Sequence, residues 1–235
     1  MMRSSSAYEG FNAVTIGLIN REVMNMKIRN YQIEDRDAIR KTSLESSVLG
    51  EYRTSIFDEE ILADLLTMYF TDYEPLSCFV ALKVNKVIGY IIGAQDVRKM
   101  RRLMKYKIIP RLIYKALGHR QLLCRNNLIL MKNIISSYLK GEFIAPDFSK
   151  EYPATLHINI RAEYRRQNLG SLLVDYFLDF LKRKNIRGVH FGVMSESAKD
   201  FFIKLNFNIL FTGKYSFPRY LIGEDIPHYI MGKQI

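Results

Sequence analysis

Tyr164-Arg165-Arg166-Gln167-Asn168-Leu169-Gly170-Ser171 is the stretch whose residue types and spacing could do chemistry. With Arg161 it sets three arginines beside an asparagine and a glycine, where one hydrophobic periodicity ends and another begins. Upstream, Ala154-Thr155-Leu156-His157-Ile158-Asn159-Ile160 alternates with the period of a strand. Downstream, Leu169, Leu172, Leu173, Tyr176, Phe177, Phe180 and Leu181 fall on one face of a helix. The unit reads strand, tight basic turn, helix. Backbone N–H groups in a helix's first turn have no partner inside the helix, and the helix dipole adds partial positive charge there. Such a turn can hold a phosphate. An ordinary connection with solvated arginines has the same pattern, so geometry alone leaves both readings open.

The elements that must position this turn follow from the rest of the chain. Lys27–Gln32 reads as a strand, and Glu34-Asp35-Arg36-Asp37 places acid at the start of a helix carrying Ile39 and Leu44. Asp58 can cap a second helix with Ile61, Leu62, Leu65, Leu66 and Tyr69 on one face, closed by Glu74-Pro75. Ser77–Lys83 and Lys86–Gln95 read as a hairpin turning at Val84-Asn85. Gly89 and Gly93 in its second strand predict a bend, a bulge or a close backbone approach. Pro110 could begin a helix that Gly118 ends, and a second runs over about 127–139. Strands follow over 187–193, 207–212 and 228–233, with a helix over 195–205 carrying Ala198, Phe201, Phe202 and Leu205 inward. The 212–227 stretch, with Pro218 and Pro227, reads as a loop.

Charge is concentrated. The 235 residues carry 35 Lys and Arg against 24 Asp and Glu, a net +11. Residues 98–140 hold twelve of the basic residues and no acidic one, leaving 35 − 12 = 23 basic and 24 acidic elsewhere, a net −1. The basic pair of helices therefore reads as an electropositive arm for a membrane surface, nucleic acid or an acidic substrate, or as two ordinary amphipathic helices with solvated charges. Sparse aromatic interleaving and the lack of a nucleic-acid motif argue against nucleic acid. Cys78 and Cys124 make no disulfide framework, no apolar run suffices to span a bilayer, and residues 1–25 read as a flexible N-terminal extension, with a docked helix as the alternative. The expectation is a cytoplasmic protein without a transmembrane segment. The histidines at 119, 157, 190 and 228 show no metal-ligand spacing.

Arg165-x-x-Asn168-x-Gly170 resembles the acetyl-CoA signature of the GNAT superfamily of N-acetyltransferases, with Asn168 at the first glycine. Asparagine tolerates positive φ, so that departure is mild. Ser195-x-x-Ala198-x-x-Phe201-Phe202-x-x-x-Asn206-Phe207 resembles the family's second helix motif. With Tyr152-Pro153 and Leu156-x-Ile158-x-Ile160, the C-terminal half is most similar to bacterial-type members related to the acetyltransferase-like domain of O-GlcNAcase. The resemblance covers roughly 27–235. It implies an α/β (α+β) GNAT fold: a mixed, mostly antiparallel central sheet splayed at the acetyl-CoA site, in one domain over 26–235 with the basic helical hairpin of about 98–142 inserted.

The resemblance also implies roles. Arg165, Arg166, Gln167, Asn168, Leu169, Gly170 and Ser171 would cradle the CoA pyrophosphate, and a glutamate at Gly170 would place bulk and negative charge in that cradle. Leu156, Ile158 and Ile160 would bind the pantetheine arm through their main chain. Ser195 stands where the family often has a cofactor-contacting asparagine. Acetyl-CoA would be the acetyl donor and an amine the acceptor, attacking the thioester directly, with no metal. The family's usual acid, a tyrosine, is replaced by Phe202, which cannot donate a proton, so Tyr215 is the substitute candidate. His157 is the candidate base, with a packed histidine as the ordinary alternative, and Glu74 and Tyr152 could line the acceptor side. The acceptor has no signature, and a homodimer is left open. The competing expectation is a weak or inactive CoA-binding module with a basic recognition arm.

Overall fold

A computed structural model describes residues 26–46, 58–117 and 125–235. The stretch 1–25, expected as an N-terminal extension, lies outside the described residues, as do Gly118 and Cys124. Strand β1 (Met26–Asn30) leads through one 3-10 turn into α1 (Arg36–Glu45). Asp58 caps α2 (Glu59–Met68): its carboxylate accepts the N–H groups of Glu60 and Ile61, two of the unpaired first-turn donors. A π turn over Tyr69–Tyr73 extends the helix to Glu74, where Pro75 stops it. Between α1 and α2, the Arg40 guanidinium is buried against the Asp64 carboxylate, with Glu60 accepting at 2.6 Å.

Strands β2 (Cys78–Lys83) and β3 (Lys86–Ala94) form a hairpin through Val84 and Asn85, both at positive φ, the turn geometry that matches strand twist. The pairing slips at Ala81/Leu82, beside Gly89. At Gly93 a Cβ would lie 2.2 Å from the Phe177 ring, so this glycine is a close-approach site.

Three helices follow β3: α3 (Val97–Leu103), α4 (Ile109–Leu117) and α5 (Arg125–Leu139). The sequence predicts a helix starting at Pro110. Instead α3, a π turn over Met104–Ile108 and α4 run on continuously, and Pro110 lies inside. Proline lacks the N–H and its ring presses on the carbonyl four residues back. The π turn immediately before it already breaks the regular ladder, so the run absorbs the proline.

The second half comprises β4 (Thr155–Ile160), α6 (Leu169–Arg183), β5 (Gly188–Val193), α7 (Glu196–Lys204), β6 (Asn208–Tyr215), α8 (Arg219–Ile222) and β7 (Ile226–Gln234). The stretch expected as a 212–227 loop is largely strand and short helix. Lys214 pairs with Pro227 and Tyr215 with Ile226. Pro227 is tolerated because β5, on its other side, already ends at Val193 opposite Tyr229.

The strands form two antiparallel sheets, β1-β2-β3-β4 and β5-β7-β6, joined by a parallel bridge between Ala154 and Val189. This is the expected mixed, mostly antiparallel sheet, splayed in the middle. Helix α6 lies across both halves: Leu169, Leu173, Val174, Phe177 and Leu181 pack with Phe79, Ile91 and Leu156 of one sheet and Val189, Phe191 and Met231 of the other. Burying a large apolar side chain contributes about 1.5–3 kcal/mol, so this helix holds the sheets together. Leu172 and Tyr176, read from spacing as part of the inward face, sit at its edge, and Val174 takes the inward place. On the other face of the first sheet, Ile39 of α1 packs with Cys78, Val80, Tyr90 and Ile92. Among the described residues no helix is long and apolar enough to cross a membrane.

Candidate functional site

The site forms where β4 and β5 part. Ala154 N–H donates to the Gly188 carbonyl at 3.1 Å, and His190 N–H to the Ala154 carbonyl at 2.9 Å. Beyond that bridge no ladder joins the strands among the described residues, and a wedge opens.

Strand register determines which peptide groups face the wedge. Arg161 N–H donates to the Ile88 carbonyl, extending the β3–β4 register of Gly89↔Ile160 and Tyr90↔Asn159. Hydrogen-bonded pairs alternate along an antiparallel ladder. Asn159, His157 and Thr155 therefore spend their peptide groups on β3, while those of Leu156, Ile158 and Ile160 point toward β5. On the opposite wall, Ile235 N–H bonds the Arg187 carbonyl, so by the same alternation Gly188, His190 and Gly192 turn their peptide groups toward β4. Beyond the Ala154 bridge, the two walls turn main-chain donors and acceptors toward each other with no ladder between them among the described residues, and such walls can bind an extended chain carrying amides.

The basic turn closes one end of the wedge. Ile160 ends β4, a 3-10 turn spans Ala162–Tyr164, and α6 starts at Leu169. Arg166 and Asn168 sit at φ 62° and 61°, so the left-handed conformation expected for Asn168 is met and a second one, at Arg166, adjoins it. Asn206, in the second motif, also has φ 62°. The first helical bond of α6 runs from Leu172 N–H to the Asn168 carbonyl. Leu169, Gly170 and Ser171 thus present N–H groups with no intrahelical acceptor, the arrangement that suits an anion.

The arginines divide their work. Arg161 pairs with Glu163 at 2.9 Å. Arg165 donates from Nε to the Ile160 carbonyl at 3.0 Å, occupying one of the wedge-facing acceptors. Arg166 is exposed and makes no ion pair with another described residue. Gln167 donates to the Glu163 carbonyl at 3.3 Å. Gly170 is buried, and a Cβ there would meet the Phe201 ring at 3.0 Å and Ile160 Cδ1 at 3.4 Å. Its bare backbone thus serves the contact with α7 and β4, and a larger side chain at 170 would collide with that packing.

His157 points to the α1 face, where its Nε2 lies 3.2 Å from the Asn159 amide nitrogen, which also donates to Tyr90 Oη at 2.7 Å. Desolvation pushes the His157 pKa down to about 4, so the ring is neutral near pH 7. Burial pushes the Tyr90 hydroxyl up, keeping it protonated. Asn159 is the residue sequence reasoning passed over. Its position two after His157 puts both side chains on one face of the strand, the signal that could have found it.

Tyr215 closes β6, buried in a stack with Phe143 at 5.1 Å and His228 at 4.6 Å, and burial raises its pKa. His228 Nε2 lies 3.4 Å from where a Cβ on Gly192 would be, which seats this aromatic stack beside the β5 wall. Ser195 caps α7, its Oγ accepting Ala198 N–H at 3.3 Å. Phe202 is buried against Phe191 at 4.5 Å and Phe207 at 5.4 Å. Glu74 is buried and accepts from Tyr69 Oη, Ser77 Oγ and Gln95 N–H. That set of bonds gives Glu74 a structural place tying α2's end to β3. Tyr152 is buried, its carbonyl 2.6 Å from His190 Nδ1.

No family model and no curated protein matches the sequence. Solved structures do resemble the fold. SsHAT shares 20% identity at TM-score 0.67, covering 89% of this chain and 98% of its own. A GCN5-related N-acetyltransferase from Kribbella flavida shares 13% at TM-score 0.55, covering 90% and 99%. The yncA protein of Salmonella typhimurium, assigned as an acetyltransferase and solved with its cofactor acetyl-CoA, shares 14% at 0.53, covering 89% and 94%. These likenesses run over about nine-tenths of the chain, and the chain has the GNAT fold of the N-acetyltransferases.

Proposed function

We propose that the protein is an acetyl-CoA-dependent N-acetyltransferase. The observation that carries this reading is the wedge: the peptide groups of Leu156 and Ile158 face it from β4, and the N-terminus of α6 with its two left-handed residues lies at its end. An extended pantothenate-type arm needs alternating main-chain partners, and a pyrophosphate needs clustered N–H donors, so the two features suit one elongated ligand. In this reading residues 26–235 act as one domain, with the helices of about 98–142 inserted.

The reaction is direct transfer. The acceptor nitrogen's lone pair forms the N–C bond, the C–S bond breaks, and the thiolate leaves while the nitrogen sheds a proton. Wedge-facing N–H groups would stabilise the developing oxyanion. His157 is the proposed proton acceptor. Burial keeps it neutral but also lowers its basicity, so its contribution is smaller than that of an exposed imidazole. If the Asn159 amide turns its oxygen toward the ring, the same contact would support the protonated form. Tyr215, held protonated by burial, is the proposed donor to the thiolate. Phe202 favours a second reading, a fold that binds CoA without efficient transfer, because a phenyl ring at that position supplies no proton.

A thiol-release assay with acetyl-CoA across small amines and lysine-bearing peptides tests the proposal. Release that depends on an amine supports transfer. Saturable acetyl-CoA binding with no release across the panel selects the second reading.

A further inference from the structure

The three helices between β3 and β4 are not used by the wedge, yet they expose more apolar surface than solvated helices should. On α4, Leu112 and Ala116 turn inward, while Ile109, Ile113, Tyr114 and Leu117 are exposed, and Tyr106 of the preceding π turn is exposed as well. At 100° per residue the four exposed α4 residues form one continuous arc with Arg111 at its margin, and Lys107 of the π turn is exposed just before it, its Nζ 5.0 Å from the Tyr73 ring centroid. On α5, Leu130 and Ser137 turn inward, while Leu128, Met131, Ile135, Tyr138 and Leu139 form one exposed stripe, 51%, 52%, 56%, 68% and 80% accessible. Arg125 and Lys132 border that stripe by the same geometry. Each helix therefore carries the same design, an exposed apolar arc with a basic edge.

We propose that this pair of helices is a docking surface for an anionic phospholipid bilayer, with the apolar arcs entering the headgroup boundary and the basic edges meeting lipid phosphates. Charge complementarity selects this occupant. Residues 98–140 carry twelve Lys and Arg and no Asp or Glu. Of these, Arg101 and Lys115 make ion pairs with other described residues, to Asp147 and to Asp64 and Glu60. A second copy of the chain would bring the same positive face against itself, which opposes a self-complementary interface. A nucleic-acid surface has use for the charges and none for five exposed apolar residues on one stripe of α5. A bilayer with anionic headgroups satisfies both, and the exposed tyrosines suit the interface. The inference is independent of acetyl transfer.

The full chain contains no tryptophan, so Ile113→Trp provides a single reporter. Its emission should shift to the blue on mixing with vesicles of phosphatidylglycerol and phosphatidylcholine, remain unshifted with phosphatidylcholine alone, and lose most of the shift at high salt. Wild-type protein should co-sediment with the anionic vesicles. Lys107→Gln with Arg111→Gln should bind about thirtyfold more weakly, since each basic group near such a surface contributes on the order of 1 kcal/mol. Ile135→Ser with Met131→Ser should also lose binding at unchanged Tm, because both side chains are exposed. No co-sedimentation with anionic vesicles overturns the proposal. So does vesicle binding indifferent to both double variants, or a wild-type dimer in sedimentation velocity that the serine variant dissociates. Binding of a homopolymeric RNA in place of vesicles, indifferent to the serine variant, assigns the surface to nucleic acid instead.

Discussion

Gly170, in the first turn of α6, is in contact with Phe201 of α7: a Cβ on Gly170 would lie 3.0 Å from the Phe201 ring. The glycine of the basic turn and the first aromatic of the second helix motif are thus one packing unit, with Ile160 of β4 as the third member. Gly170→Leu should cost about 1–3 kcal/mol through overpacking. Urea unfolding should report that loss, and the variant's acetyl-CoA affinity should fall with it because the turn is displaced.

A stricter case is Gly93, where a Cβ would sit 2.2 Å from Phe177 and 2.7 Å from the Thr155 carbonyl. One of those atoms is backbone and cannot rotate away. Gly93→Ala should destabilise by about 3 kcal/mol, the upper end of overpacking, read as a fall in the urea midpoint at constant slope.

Ser195 separates a capping role from a ligand role. Its Oγ already accepts the Ala198 N–H. Ser195→Ala should cost about 1 kcal/mol of stability. Ser195→Asp, which retains the cap acceptor, should restore that stability. If calorimetry shows acetyl-CoA affinity unchanged in Ser195→Ala, the side chain is a cap alone.

Arg40 lies between Asp64 and Glu60 with its guanidinium buried. Arg40→Met keeps much of the apolar stem but leaves the buried Asp64 carboxylate, among the described residues, with Lys115 at 3.3 Å and Arg36 at 3.8 Å beside it. The loss should be about 3–5 kcal/mol. Adding Asp64→Leu should recover part of it, which a double-mutant cycle measures.

The His157 pKa falls from the ordinary 6.5 to about 4 in the folded chain, by desolvation. The unfolded chain therefore binds the proton more readily. Stability from this group is complete above about pH 6.5 and is lost as pH falls from there toward 4. His190 and His228 are lowered by burial too and act in the same sense. His157→Gln should flatten, without abolishing, the decline in Tm between pH 6.5 and pH 4.

Much of this was legible in the sequence because it followed from periodicity. The alternation over 154–160 and the face from Leu169 to Leu181 are one-dimensional signals of β4 and α6, and they emerged with nearly the expected bounds. Asn168 was readable because few residues accept positive φ. What the sequence hid depends on register and on contacts far apart in the chain. The alternation of peptide groups on β4 is fixed by pairing with β3, and Gly170's neighbour lies 31 positions away at Phe201. Pro110 misled because the π turn that accommodates it has no signature of its own. Strand β6 ran past its expected end because Lys214 and Tyr215 find partners in β7 beside a proline, which composition reads as a loop.

The central claim concerns the main chain of β4, where the Ile158 N–H faces the wedge and the Asn159 N–H belongs to the β3 ladder. Amide-to-ester replacement at each position, followed by calorimetric titration with acetyl-CoA, separates the two. The account predicts saturable one-to-one binding by the unmodified chain. The ester at Ile158 should weaken it about three- to tenfold with little change in Tm, and the ester at Asn159 should lower Tm with a smaller effect on affinity. No saturable heat from the unmodified chain, or full affinity with the Ile158 ester, would contradict it.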